Sequence, residues 1–323
     1  MGEDTATPTE PTTPGHPDDP DRWRHETAHL PDVDLHYVTV DPDPDAVDHP
    51  TGDAPLVVLL HGFPEFWYAW RHQLDALADA GYRVVAPDLR GYNRSAKPRG
   101  VDSYAPEKLV GDVRGLIEHL GYAQADIVGH DWGGAIAWET AMRDPDLVRR
   151  LVVLNAPHTK AYRQLIKRSP EQLLKSWYVF LFQVPWLPER LVMADDYRVV
   201  DEMLTETAAP GAFSERDVQR YKDAMARSGD LSGPINYYRA IVRTSVRDEI
   251  LSLLPDAVER NGHVDVPTLV IWGEQDQALS VKLLDGLDEF VSDLRIERLP
   301  DASHWVQADA PEKVNDRLLE FLS

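Results

Sequence analysis

Short apolar runs alternate with segments of helical period along most of this chain, a pattern that predicts a mostly parallel sheet wrapped by helices. Pro55-Leu56-Val57-Val58-Leu59-Leu60 reads as a buried strand, followed by a helix around Ala69 to Ala80. Arg83-Val84-Val85-Ala86 reads as the next strand and Pro106 to Leu120 as the next helix. Ala125-Asp126-Ile127-Val128-Gly129 reads as a strand that runs through a turn into a helix over Gly133 to Met142. Leu151-Val152-Val153-Leu154 and Thr268-Leu269-Val270-Ile271-Trp272 are two further strands, more than 100 residues apart. The stretch between them keeps helical spacing, is rich in aromatics and shows no clear strand, which predicts an inserted helical cap over 158–263. Arg295-Ile296-Glu297-Arg298-Leu299 then resumes the sheet, and Pro311 to Leu322 closes the chain as a helix. The expected organisation is a tail over 1–22, an α/β core over 23–157 and 264–323, and the cap between its two parts.

Composition narrows the chemistry. A chain of 323 residues with 43% hydrophobic residues can bury a large core. It has no cysteine, which excludes disulfides, thiolate metal ligands and a cysteine nucleophile, so any reaction uses oxygen and nitrogen groups. The opening stretch is rich in Pro, Thr, Asp and Glu with almost nothing apolar, the composition of a disordered tail and not of a secretory leader. No apolar run approaches the roughly 20 residues of a membrane-spanning helix, and the expected location is the cytoplasm. No Gly-rich phosphate loop and no internal repeat are present, and neither a cofactor nor a metal is expected. The net charge is −22, with the acids spread along the chain, so nucleic acid and anionic membranes are not expected as partners. The oligomeric state is left open.

Gly129-His130-Asp131-Trp132-Gly133-Gly134 falls between a predicted strand and a predicted helix, where a sharp turn would raise the central side chain above the sheet. This is the pattern of a nucleophile elbow with Asp131 in the place usually held by Ser. Small residues are needed on both sides because the turn presses against the adjacent strand and helix. An Asp at a helix start can also be only a cap, but strand, glycines and helix all fall where the elbow requires them. No Gly-x-Ser-x-Gly occurs anywhere. A carboxylate nucleophile forms an ester on the enzyme, whose hydrolysis needs a base-activated water and an oxyanion hole. His304 follows the last predicted strand and is the candidate base; Asp276, just past the strand ending at Trp272, is the candidate acid that orients it, with Glu274 as competitor. The order nucleophile, acid, histidine is that of the α/β-hydrolase fold. His61-Gly62-Phe63-Pro64 follows the first strand at the loop that supplies one oxyanion amide in this fold, which makes the backbone N–H groups of Phe63 and Trp132 the candidate donors, with His61 structural.

Four stretches together resemble the soluble epoxide hydrolases of the α/β-hydrolase superfamily: His61-Gly62-Phe63-Pro64-Glu65-Phe66-Trp67-Tyr68, Asp88-Leu89-Arg90-Gly91-Tyr92-Asn93, the Asp131 elbow, and Ser303-His304-Trp305-Val306-Gln307. The resemblance covers about Trp23 to Ser323. It implies an α/β-hydrolase fold, a small-molecule epoxide and water as reactants, and Asp276 as the acid. It also implies two cap tyrosines. Tyr178 precedes Phe182-Gln183-Val184-Pro185 at the family's spacing, and Tyr238 ends Gly233-Pro234-Ile235-Asn236-Tyr237-Tyr238. Phenols there would donate to the alkoxide that ring opening generates. Trp177, Phe180, Trp186 and Phe213 are expected to line the substrate pocket or fill the cap core. Two other readings stay open: a haloalkane or haloacid dehalogenase with the same Asp nucleophile, and a non-catalytic relative that binds a ligand without turning it over.

The charge carries a prediction of its own. If the −22 balance is an adaptation to a salt-rich cytoplasm, thermal stability rises strongly as KCl goes from low to molar concentration, because at ~1 M the screening length falls to ~3 Å. Melting curves across that range that stay level or fall would leave the acidity as an accident of composition.

Overall fold

The computed structural model describes residues 22–43, 54–251 and 262–323. The tail expected over 1–22 lies outside the described residues except for Arg22, which pairs with Asp75. Eight strands form one sheet: β1 (Arg24–His29), β2 (Asp34–Val40), β3 (Leu56–Leu60), β4 (Arg83–Pro87), β5 (Ala125–His130), β6 (Val148–Leu154), β7 (Thr268–Gly273) and β8 (Leu294–Leu299). Their order across the sheet is β1-β2-β4-β3-β5-β6-β7-β8, and all neighbours from β4 to β8 run parallel. β3, β5 and β7 are buried along their whole length, as continuous apolar runs of a parallel sheet should be.

The antiparallel pair β1 and β2 is absent from the sequence-based expectation. β1 reads Arg-His-Glu-Thr-Ala-His and buries only Ala28, because an edge strand can face water along most of its length. The helix expected around Ala69 to Ala80 is divided into a 3-10 turn over Trp67–Trp70 and the short helix α1 (Leu74–Asp79). α2 (Pro106–His119) and α3 (Trp132–Arg143) pack beside each other on the sheet.

Between β6 and β7 the chain forms α4 (Thr159–Arg168), α5 (Pro170–Lys175), α6 (Trp177–Leu181), α7 (Leu187–Glu206), α8 (Glu215–Arg227) and α9 (Ser232–Leu251). α7 is broken at Ala194–Tyr197, where three successive residues take positive φ. α8 opens on a capping box in which Ser214 and Asp217 satisfy each other's backbone N–H groups. After β8 come α10 (Val306–Asp309) and α11 (Pro311–Leu322), the latter packing beside α1. No helix among the described residues is long and apolar enough to cross a membrane.

The sheet and α3 meet most closely at the turn after β5. A Cβ added at Gly133 would lie 2.0 Å from the Leu60 carbonyl oxygen, and one at Gly129 would lie 2.3 Å from that of Gly133. Only glycine permits this approach. It seats the first turn of α3 directly over the ends of β3 and β5.

Candidate active site

Asp131 occupies that seat with φ 50° and ψ −117°, a strained conformation for a residue with a side chain. The strain lifts the carboxylate above the carboxyl ends of the strands, where loops from β3, β7 and β8 converge. From the loop after β3, the Phe63 N–H donates to Asp131 Oδ1 at 2.8 Å, and the Trp132 N–H also donates to this carboxylate. Burial pushes the Asp131 carboxyl above the usual carboxylate range, against the pull of the His304 and His130 charges and the two amides.

His304, on the loop after β8, places Nε2 3.7 Å from Asp131 Oδ2 and Nδ1 2.7 Å from Asp276 Oδ2. Asp276, on the loop after β7, is buried and saturated with donors: Oδ1 accepts from the Ala278 and Leu279 amides, and Oδ2 from Asn155 Nδ2 at 2.8 Å. Burial works to raise the Asp276 carboxyl, but the His304 charge and these hydrogen bonds outweigh it and hold it below the usual range. Burial likewise works to lower His304, yet the charge and hydrogen bond of Asp276, followed by the charge of Asp131, push it up to about 9. The competing carboxylate Glu274 instead pairs with Arg298 at the surface.

A cavity of about 140 Å³ opens over Asp131, bounded by Trp132, Tyr178 and Tyr238 with apolar walls from Leu109, Ile136, Val179 and Ile241. The Tyr178 and Tyr238 rings lie 5.9 Å apart. Burial, reinforced by the Asp131 charge, raises both phenols well above their ordinary value, so they remain protonated donors. The adjacent Tyr237 is different: its hydroxyl donates to the Arg90 carbonyl and serves packing.

The expected pocket aromatics are corrected. Trp177, Phe180 and Trp186 are 63%, 57% and 76% exposed and lie on the outside of the cap, because α6 turns Tyr178 and Val179 inward and its other face out. Phe213 packs on Tyr221 and Trp305 at the junction of cap and core. The walls are aliphatic instead, with Leu109 from α2 and Ile136 from α3.

Several supporting residues escaped the sequence reading. Buried Glu65 accepts from the Gly62 N–H at 2.7 Å and lies 2.7 Å from His130 Nδ1, while His130 Nε2 lies 2.8 Å from the His304 carbonyl and Gln307 Nε2 donates to Glu65 at 2.9 Å. The loop carrying Phe63 and the His304 backbone are therefore tied together behind Asp131. Gln183 Nε2 donates to the carbonyls of Val179 and Tyr238, joining the helices that carry the two tyrosines. Glu65 sits inside the His61-Gly62-Phe63-Pro64-Glu65-Phe66-Trp67-Tyr68 run and Gln183 inside Phe182-Gln183-Val184-Pro185, so position within those runs was the available signal. His61 is buried and accepts from the Leu89 N–H through Nε2. Among the described residues no cluster of three or more His, Asp or Glu is placed to hold a metal ion.

A family model described as the alpha/beta hydrolase fold matches residues 55–311. The chain is 40% identical over 270 residues to the AB hydrolase superfamily protein YfhM of Bacillus subtilis, covering 84% of this chain and 91% of that one. It is 38% identical over 308 residues to Epoxide hydrolase 1 of Caenorhabditis elegans, covering 93% of this chain and 70% of the relative. Among solved structures, a mutant of an epoxide hydrolase from Bacillus megaterium complexed with its diol product superposes with a TM-score of 0.79 at 32% identity, covering 92% of this chain and 99% of the other.

The elevated His304 has a consequence for stability. A folded value of about 9 against an ordinary value of about 6.5 means that its contribution is fully present below pH ~6.5 and is lost as pH rises through ~9. Denaturant titrations of the wild type should show unfolding free energy declining across that window more steeply than in His304→Gln. Parallel pH profiles for the two proteins would contradict the assignment.

Proposed function

The chain belongs to the alpha/beta hydrolase fold family, and from that membership we propose that it opens epoxides to vicinal diols through an ester on Asp131. The observation that carries this reading is a cavity lined by the elbow carboxylate Asp131 and the two phenols of Tyr178 and Tyr238, with the His304–Asp276 pair beside that carboxylate, His304 Nε2 lying 3.7 Å from it. Relatives named as epoxide hydrolases, with identities of 38% and 32%, support it.

In this mechanism Asp131 Oδ1 stays with the Phe63 amide while Oδ2 attacks a ring carbon. The C–O ester bond forms as the ring C–O bond breaks, and Tyr178 or Tyr238 gives its proton to the departing oxygen. Esterification removes the Asp131 charge, one of the groups that holds His304 high. The His304 imidazolium then gives its proton to the phenolate through solvent, and the neutral ring takes a proton from water, while Asp276 stabilises the imidazolium that re-forms. The hydroxide adds to the ester carbonyl, and the oxyanion is held by the Phe63 and Trp132 amides. Collapse releases the diol and restores the carboxylate. The tyrosine and His304 are then both back in their starting protonation states, so epoxide and water are the only net reactants.

The paired tyrosines distinguish this reaction from halide displacement, which uses the same triad but needs no phenol. Replacing both Tyr178 and Tyr238 by Phe keeps the apolar bulk and removes both donors. Each lost donor to a developing oxyanion is typically worth ~3 kcal/mol, so the double variant should lose at least about two orders of magnitude in the alkylation step, with each single variant retaining part of it. Rapid-quench measurement of alkylation checks this. Wild-type rates in the double variant, or halide release by a wild type that leaves epoxides intact, would move the protein to the dehalogenase reading.

A further inference from the structure

The outer face of the cap carries a feature that the reaction does not use. Leu173, Trp177, Phe180, Val184, Leu187 and Leu191 recur at alternating intervals of four and three residues through α5, α6 and the start of α7, and all are exposed. Side chains as open as Trp177 and Phe180, at 63% and 57%, stand out from the surface instead of lining a groove. An exposed apolar patch on this scale marks an interaction site.

Charge decides the partner. Residues 159–194 contain six Lys or Arg against only Glu171 and Glu189, in a chain whose net charge is −22. Glu171 pairs with Lys282, and buried Glu189 pairs with Arg239. Arg168 and Arg190 are exposed with no carboxylate partner among the described residues. The overall charge alone predicts repulsion from anionic surfaces, but with a screening length of ~8 Å at physiological salt a surface senses mainly the face turned toward it. A symmetric pairing of two copies through this patch would set one basic rim against the other.

We propose that the cap docks on a bilayer containing anionic lipid, its Leu, Trp and Phe side chains entering the boundary between headgroups and acyl chains while Arg168 and Arg190 reach lipid phosphates. Protruding aromatic and aliphatic residues beside basic ones suit that interface. The opposite side of α6 presents Tyr178 and Val179 to the cavity. An apolar epoxide dissolved in the bilayer would therefore arrive at the helix that bounds the site, a consequence that, unlike the docking itself, rests on the reaction proposed above.

The test is sedimentation of the full chain with vesicles of phosphatidylcholine alone and of a phosphatidylcholine–phosphatidylglycerol mixture, at low and high salt. Wild type should bind the mixed vesicles more tightly and lose that preference as salt rises. Leu173→Glu with Leu191→Glu should weaken partitioning at least about tenfold, and Arg168→Glu with Arg190→Glu should abolish the preference for phosphatidylglycerol. Both variants should hydrolyse a short, water-soluble epoxide at the wild-type rate, which separates failure of docking from failure of the reaction. Three results would overturn the proposal: wild type that stays in the supernatant with both vesicle types, apolar-to-Glu variants that bind as wild type does, and a light-scattering dimer, unbound to vesicles, that Leu173→Glu with Leu191→Glu dissociates. Retention on soluble polyglutamate without vesicle binding would point instead to an acidic protein partner and would equally overturn it.

Discussion

A carboxylate taken out of water needs compensating charge and hydrogen bonds, and the burial of Asp131 places that demand on everything around it. The glycines flanking the elbow bring α3 down onto the ends of β3 and β5, so Asp131 is carried to the one place where the Phe63 amide reaches it. His304 supplies a facing cation, and Asp276 keeps that ring charged from behind. The buried network of Glu65, His130 and Gln307 ties the Phe63 loop to the backbone of His304. In the proposed reaction, the same arrangement that makes the buried charge tolerable also poises it for attack on carbon.

In the proposed reaction the cap completes the chemistry from above. Tyr178 and Tyr238 come from α6 and α9, held in register by the Gln183 side chain and by Phe182, whose ring contacts both tyrosines and Phe63. Arg239 bonds the carbonyls of Phe182 and Val184 and pairs with Glu189, which joins α9 to the turn between α6 and α7. An aliphatic cavity between two phenols and a carboxylate favours a neutral apolar substrate with one small, strained oxygen centre.

The central strands were legible because strands buried on both faces must be apolar throughout, and the elbow because its steric demands leave few residue choices. β1 and β2 were not: β1 reads Arg-His-Glu-Thr-Ala-His and buries only Ala28, and β2, buried at five of its seven positions, carries His36, whose ring pairs with Asp88 at 2.7 Å, a contact that no periodicity records. Asp276 was separable from Glu274 only through resemblance, since both follow β7 within four residues. The exposed aromatics Trp177, Phe180 and Trp186 were misplaced for a different reason. Residue type says that a side chain favours burial but not which face of a short helix meets the cavity, and in α6 the inward face belongs to Tyr178 and Val179.

The central claim is a covalent bond between Asp131 and substrate carbon. His304→Gln keeps the nucleophile but removes the base that activates water, so ester hydrolysis slows more than ester formation. Intact-mass measurement of this variant after incubation with an epoxide should show the chain heavier by one substrate, with the added mass on the peptide that contains Asp131. A variant that still turns over epoxide while no adduct can be trapped, or whose adduct lies on another residue, would contradict the account.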